Sequence, residues 1–218
     1  MSDGEPRPML TRYSSGERTT HWLVALSFVL AALSGLVMFH PALFFLSVFF
    51  GGGPWTRILH PFLGLFMVVV FLALAGSVWD DNRMHPADWQ WLRRWRDVVN
   101  NREEQLPEVG RYNAGQKLLF FVIVACLLGL LLSGLVIWRP YFSSSFAIGL
   151  IRFASVLHAL CAFVLICAIL VHIYAAIWVK GSIDAMLRGT VTAGWAWKHH
   201  RAWVRQITHA ANPRTRSD

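Results

Sequence analysis

Residues 156–181 read VLHALCAFVLICAILVHIYAAIWVKG. The run is almost wholly apolar and long enough to cross the roughly 30 Å hydrocarbon core of a bilayer. It nevertheless carries two imidazoles, His158 and His172. Fourteen residues turn a helix through about 1400° and advance it about 21 Å, so the two side chains share one face at two depths. Intramembrane ionisable groups are rare and mark function by default.

Three further runs, Trp22–Phe39, Pro61–Trp79 and Leu118–Trp138, reach or approach spanning length, with Phe153–Val179 as the fourth. None alternates with a period of two, and only helices or closed barrels satisfy the backbone in lipid. The sequence therefore predicts an all-α integral membrane four-helix bundle. Its segments are residues 1–20, a four-span domain over 21–179 and a basic, aromatic tail over 180–218. The stretch from Arg18 through WLVALSFVLAALSG has signal-peptide character, but the apolar run continues past Gly35 and reads as an uncleaved span.

Only 15% of residues are charged, and the net charge is +8. Seventeen of the twenty Lys and Arg residues, and all twelve acids, fall in 1–20, 80–117 and 180–218. Only Arg57, Arg139 and Arg152 lie in the opposite loops. That bias predicts both termini on the cytoplasmic side. It makes the basic balance a topology and lipid signal rather than one for nucleic acid. Cys126, Cys161 and Cys167 lie within spans without a C-x-x-C pair and read as small buried hydrophobes.

Outside the spans, residues 1–11 are expected to be loosely ordered. ALFFLSVFFGGGP, after His40-Pro41, is too short to cross and reads as interfacial or re-entrant. The second span is expected to start at His60-Pro61, proline being tolerated in a first helical turn. DWQWLRRWRDVV places Trp91, Leu92, Trp95, Val98 and Val99 on one stripe, an amphipathic helix for the interface or for a partner. Trp195, Trp197 and Trp203 repeat the aromatic-and-basic recipe in the tail. Trp22, Trp79, Trp138 and Trp178 read as an aromatic belt. No internal repeat stands out.

Of nine histidines, His85, His199, His200 and His209 lie in polar sequence and read as ordinary titrating groups, while His40 ends the first span. With alternating helix directions, His21 and His172 fall near the inner surface, and His60 and His158 near the outer one. Two histidines from two helices can clamp a planar haem iron axially. Zinc wants four ligands gathered in one place, and a di-iron site wants carboxylates that the spans lack. The pairs thus predict two b haems, with His21 and His172 as axial ligands of the inner iron and His60 and His158 of the outer. Gly35, fourteen residues after His21, and Gly115 and Gly129, also fourteen apart, either make room for a macrocycle or allow close helix packing.

Two haems make an electron path across the bilayer, yet the chain has no dinucleotide fingerprint, iron–sulfur cysteine run or soluble redox domain. The donor is then another protein, and a lipid-soluble quinone is one candidate acceptor.

THW at His21, ILHPFLG at His60, GRYNAGQK at 110–117, LVIWRPYF at 135–142 and VHIYAAIWVKGS at 171–182 together resemble the gamma-subunit family of respiratory formate dehydrogenases, over about Arg12–Gln206. Hydrogenase and thiosulfate reductase cytochromes agree more weakly, and a stand-alone di-haem oxidoreductase or a haem-free anchor or transporter is the remaining alternative. The resemblance implies a bacterial inner-membrane cytochrome b with no catalytic residue for formate itself. A separate molybdenum or tungsten alpha subunit oxidises formate, and an iron–sulfur beta subunit passes electrons to the outer haem, in a heterotrimer open to higher assembly. It also implies a quinone pocket at Asn113, Gly115 and Gln116, beside His172. Amide donors suit a quinone carbonyl, although Asn113 equally suits a helix N-cap. Arg139 and Arg152 are placed to meet either haem propionates or the beta subunit.

Overall fold

Apolar runs flanked by charged loops leave the backbone no partner in lipid but itself, so helices dominate the computed structural model, which describes residues 8–100 and 102–211. The outermost parts of the two expected terminal segments, 1–7 and 212–218, lie outside the described residues. Four helices are long and apolar enough to cross a membrane: α1 (Ser15–Phe39), α2 (Gly53–Val78), α5 (Ala114–Ile137) and α6 (Ile148–Trp178). Between α2 and α5 lie the short α3 (Pro86–Arg93) and α4 (Trp95–Val99). After α6 come α7 (Ser182–Arg188), α8 (Ala193–His199) and α9 (Arg201–Ala211). A two-stranded antiparallel ribbon, β1 (Met9–Thr11) with β2 (Thr190–Thr192), is added to the helices, pairing Leu10 with Val191.

The chain forms two compact units. One comprises residues 16–77 and 121–175, the bulk of the four long helices. Its apolar side chains largely face outward, as Leu26, Val69, Leu132 and Phe163 do, which suits lipid rather than water. Small residues turn inward on every long helix, Ser27, Ala31 and Ser34 on α1, Ala75 on α2, Ser133 on α5 and Ala154 on α6, alongside the larger Met67, Phe71, Leu127 and Leu165. Without a hydrophobic drive between helices in lipid, close approach through small residues holds such a bundle together.

The other unit comprises 1–15, 78–120 and 176–218. Ala185, Val191, Ala196 and Trp203 form its buried cluster, with Leu10, Tyr13, Trp195, Val204 and Ile207 packed around it. Trp203 and Trp195 therefore belong to a small folded core, whereas Trp197 is exposed. The tail is not a uniformly interfacial segment, because its tryptophans are divided between the two faces of its helices.

Several boundaries differ from the sequence reading. Residues 9–11 are not loose: a partner strand 181 residues away supplies their hydrogen bonds, as the pairing of Leu10 to Val191 shows. Helix α2 begins at Gly53, so Pro61 lies inside it rather than in its first turn. The preceding apolar stretch is a 3₁₀ helix over Pro41–Phe50, capped by His40 Nδ1, which accepts from Ala42 N at 3.2 Å. Gly51 and Gly52, with φ of 81° and 94°, turn the chain from it into α2 in the left-handed region that glycine adopts freely. The expected amphipathic helix over 88–99 is broken at Arg94, whose guanidinium turns to the Gln105 carbonyl. Trp95 and Val99 consequently stand exposed, off the stripe shared with the half-buried Trp91 and Leu92.

Candidate functional site

Helices α1, α2 and α6 bring the four intramembrane histidines into two facing pairs. The His21 and His172 ring centres are 6.3 Å apart, and those of His60 and His158 are 6.2 Å apart. Neither pair is joined by a hydrogen bond between its rings. A metal–imidazole bond of about 2 Å, with roughly 1.1 Å from ring nitrogen to ring centre, separates two rings on opposite sides of one ion by about 6.2 Å. The spacing at both sites is that of a bis-imidazole clamp. Among the described residues, no site gathers three or more His, Cys, Asp or Glu side chains.

The local sequence shapes the His60/His158 pair on both sides. Ser34 Oγ donates to the Ala31 carbonyl at 3.0 Å and lies 2.9 Å from His60 Nδ1. Ser133 Oγ donates to the Gly129 carbonyl and lies 3.0 Å from His158 Nδ1. A hydroxyl has one proton, and in each case a backbone carbonyl takes it. Each ring also hydrogen-bonds a backbone carbonyl, Ala31 for His60 and Leu130 for His158, which can only accept. Nδ1 therefore carries the ring proton, shared with the serine oxygen, and the Nε2 lone pair of both imidazoles is left free for a metal. The neighbouring glycine lets each ring lie against the helix. A Cβ at Gly35 would come within 3.2 Å of His60 Cε1, and one at Gly134 within 3.4 Å of His158 Cε1.

These residues carry a signal that the reading of the sequence missed. The pentapeptide LSGLV occurs twice, at 33–37 on α1 and 132–136 on α5. Each copy supplies the serine and glycine that cradle one histidine of the pair. Gly129 does something else: a Cβ there would meet Cys161 Sγ at 2.6 Å, so this glycine admits a helix-packing contact rather than a macrocycle. The His21/His172 pair differs: among the described residues, His21 Nδ1 is buried with no hydrogen-bond partner.

Asn113, Gly115 and Gln116 open α5. Asn113 N donates to Gln116 Oε1 at 3.0 Å, and Gln116 N donates to Asn113 Oδ1 at 2.9 Å, a reciprocal capping box. Both side-chain oxygens are thus engaged at the helix end, while the NH₂ groups remain donors. A Cβ at Gly115 would lie 3.5 Å from the Trp91 ring, so α3 covers this turn. Helix α3 is fixed there by a buried ion pair. Lys117 Nζ donates to Asp88 Oδ2 at 2.8 Å and to the Arg83 carbonyl at 2.9 Å.

His200 departs from its expected role. It is buried, not a solvated titrating group, and lies between Arg12 and Gly110. Since a carbonyl can only accept, Nδ1–H donates to Gly110 O at 2.8 Å, and Nε2 accepts from Arg12 Nη2 at 2.9 Å. Burial, then the adjacent Arg12 charge, pushes its pKa down to about 3. The Arg12 guanidinium also stacks within 5.1–5.4 Å of the Tyr13, Trp195 and Trp203 ring centres. Both His200 nitrogens are spent on the protein, so it offers nothing to a metal.

The sequence agrees with known proteins along nearly its whole length. The chain is 44% identical over 201 residues to the Escherichia coli K12 protein named formate dehydrogenase, cytochrome b556(fdo) subunit, covering 92% of this chain and 94% of that one. It is 40% identical to the nitrate-inducible formate dehydrogenase cytochrome b556(Fdn) subunit of the same strain, covering 93% of each. Against the formate dehydrogenase cytochrome b556 subunit of Haemophilus influenzae it is 38% identical, covering 90% of this chain and 83% of that protein. The family profile described as prokaryotic cytochrome b561 matches residues 12–189. With four spanning helices and histidines facing in pairs between them, this chain belongs to the prokaryotic cytochrome b561 family and is an integral membrane protein.

Proposed function

We propose that this chain is the membrane cytochrome b subunit of a formate dehydrogenase complex of the bacterial inner membrane. In this reading both termini are cytoplasmic, His60 and His158 hold an outer b haem, and His21 and His172 hold an inner one. The observation that carries it is the two facing pairs, 6.2 and 6.3 Å between ring centres, each drawn from two helices with no hydrogen bond between partners. Similarity to formate dehydrogenase cytochromes over more than nine-tenths of the chain supports the choice of complex.

Haems held at the two levels supply one-electron transfer across the bilayer. The histidines would hold the two irons, and the apolar helices would exclude water from the path between them. Electrons enter at the outer level from an iron–sulfur subunit, which receives them from a separate molybdenum or tungsten subunit that oxidises formate. They leave at the inner level to a quinone, a menaquinone or a ubiquinone. The free amide N–H groups of Asn113 and Gln116 are suited to hold a quinone carbonyl near Gly115, and reduction draws its protons from the cytoplasmic side. Proton uptake inside with formate oxidation outside makes the cycle electrogenic. The proposed organisation is a cytoplasmic segment 1–20, the di-haem domain 21–179 and the cytoplasmic segment 180–218.

Affinity purification of the tagged chain from gently solubilised membranes tests this. Two b haems per chain, a co-purifying molybdenum- or tungsten-containing subunit and b-band reduction by formate are expected. A reduced-minus-oxidised spectrum without b-type bands refutes the haem sites. Two haems without a formate-oxidising partner would instead favour a cytochrome of another respiratory enzyme or a stand-alone quinone oxidoreductase.

A further inference from the structure

We propose that Ser34 and Ser133 are positioning residues that hold a haem bound by His60 and His158 at a lower reduction potential than one bound by His21 and His172. The proposal rests on the two-haem reading and extends it to the direction of electron flow. Serines inside helices commonly bond back to a carbonyl one turn earlier and do nothing more. Ser27 is such a case on α1, with its hydroxyl on the Leu23 and Val24 carbonyls. Ser34 and Ser133 differ because a histidine Nδ1 also reaches each oxygen, at 2.9 and 3.0 Å. Both serines are almost wholly buried, at 0% and 3% exposure, so water does not compete for these bonds.

Two consequences follow from the geometry. The bonds select the Nδ1–H tautomer and fix the ring direction, so each Nε2 lone pair is presented without rearrangement. An imidazole that donates from its remote nitrogen is also a more basic ligand. A more basic ligand favours ferric over ferrous iron, and second-shell hydrogen bonding is one of the levers that set haem potential. His60 and His158 are both anchored in this way. Among the described residues His21 Nδ1 is buried without a partner, so that pair receives less of the effect through His21. The LSGLV segments at 33–37 and 132–136 make the arrangement two-sided, one segment for each histidine of the pair. The lower potential then falls at the end where electrons enter in the proposed complex, and transfer to the His21/His172 end runs downhill.

Redox titration of the b bands in the purified complex tests this with S34A, S133A and the double variant, and with S27A as the control. The wild type should titrate as two components. Each single variant should raise the lower midpoint. The double variant should shift that reduction equilibrium about tenfold, equivalent to about 59 mV for a one-electron couple. The upper midpoint should stay fixed, and S27A should move neither. Selective loss of the lower-potential haem in S34A or S133A also supports the positioning role. An unchanged lower midpoint with both haems retained overturns the proposal and leaves the two-haem reading intact, as does a shift confined to the upper component. A wild type with a single haem overturns both.

Discussion

The two units bury histidine in opposite ways. In the unit with the β ribbon, His200 has its nitrogens matched to Gly110 and Arg12, so its hydrogen bonding is complete within the protein. In the bundle, His60 and His158 are matched at Nδ1 only and face each other at 6.2 Å without bonding. A buried polar group must be satisfied. The first arrangement is closed and structural, whereas the second is half open and suited to a metal. Burial of an imidazole therefore says little about its role until both nitrogens have been accounted for.

The sharpest way to break this contrast is to remove one histidine from each environment. In the proposed two-haem reading, His172→Ala should reduce haem content from two per chain to one and abolish quinone reduction, while the remaining haem stays reducible by formate. Haem assay with a difference spectrum reads this, and retention of both haems would rule out the pairing. His200→Ala should leave haem content at two. The buried Lys117–Asp88 pair holds α3 across the start of α5, with side-chain exposures of only 5% and 6%. Lys117→Met strands a buried carboxylate, so thermal unfolding in detergent should show a loss of about 3–5 kcal/mol. A smaller effect than 1 kcal/mol would mean that water reaches Asp88.

His200 also sharpens the contrast through pH. Its folded pKa, about 3, lies below its ordinary value of 6.5. The unfolded chain therefore binds more protons between those values. Its contribution to stability is complete above pH 6.5 and declines as pH falls towards 3. Between pH 6.5 and pH 5 the wild type should lose about 2 kcal/mol from this group alone. His200→Gln should lack that component of the slope, and parallel pH profiles would contradict the neutral buried imidazole. The smallest effect is expected at the α5 cap. Asn113→Ala should cost about 1 kcal/mol of stability and, in the proposed quinone role, raise the quinone KM. A stability loss with unchanged KM would make Asn113 a cap alone.

Much of this architecture was legible in the linear sequence, for identifiable reasons. A spanning helix is announced by its own length and apolarity, so α1, α2, α5 and α6 could be found without knowing their neighbours. His158 and His172 were conspicuous because charged or polar groups are costly in lipid, and helical periodicity alone put them on one face. Their pairing with His60 and His21 needed only alternating helix direction. By contrast, the start of α2 depended on how Gly51 and Gly52 turn the chain, and the break at Arg94 goes with a side-chain bond to a carbonyl eleven residues away. Ser34 and Ser133 looked like ordinary small residues, and the LSGLV repeat acquires meaning only when each copy is seen against its histidine.

By itself, the sequence determined which segments can enter a bilayer and which imidazoles go with them, because both follow from local free energies of transfer. The tertiary structure decided which nitrogen of each imidazole is occupied, that Arg12 and His200 share a core built from three distant segments, and that Trp203 is inside while Trp197 is outside. Those outcomes depend on hydrogen-bond partners separated by up to 188 residues. No local pattern encodes them, because a donor and its acceptor are defined only when the helices carrying them have been brought together.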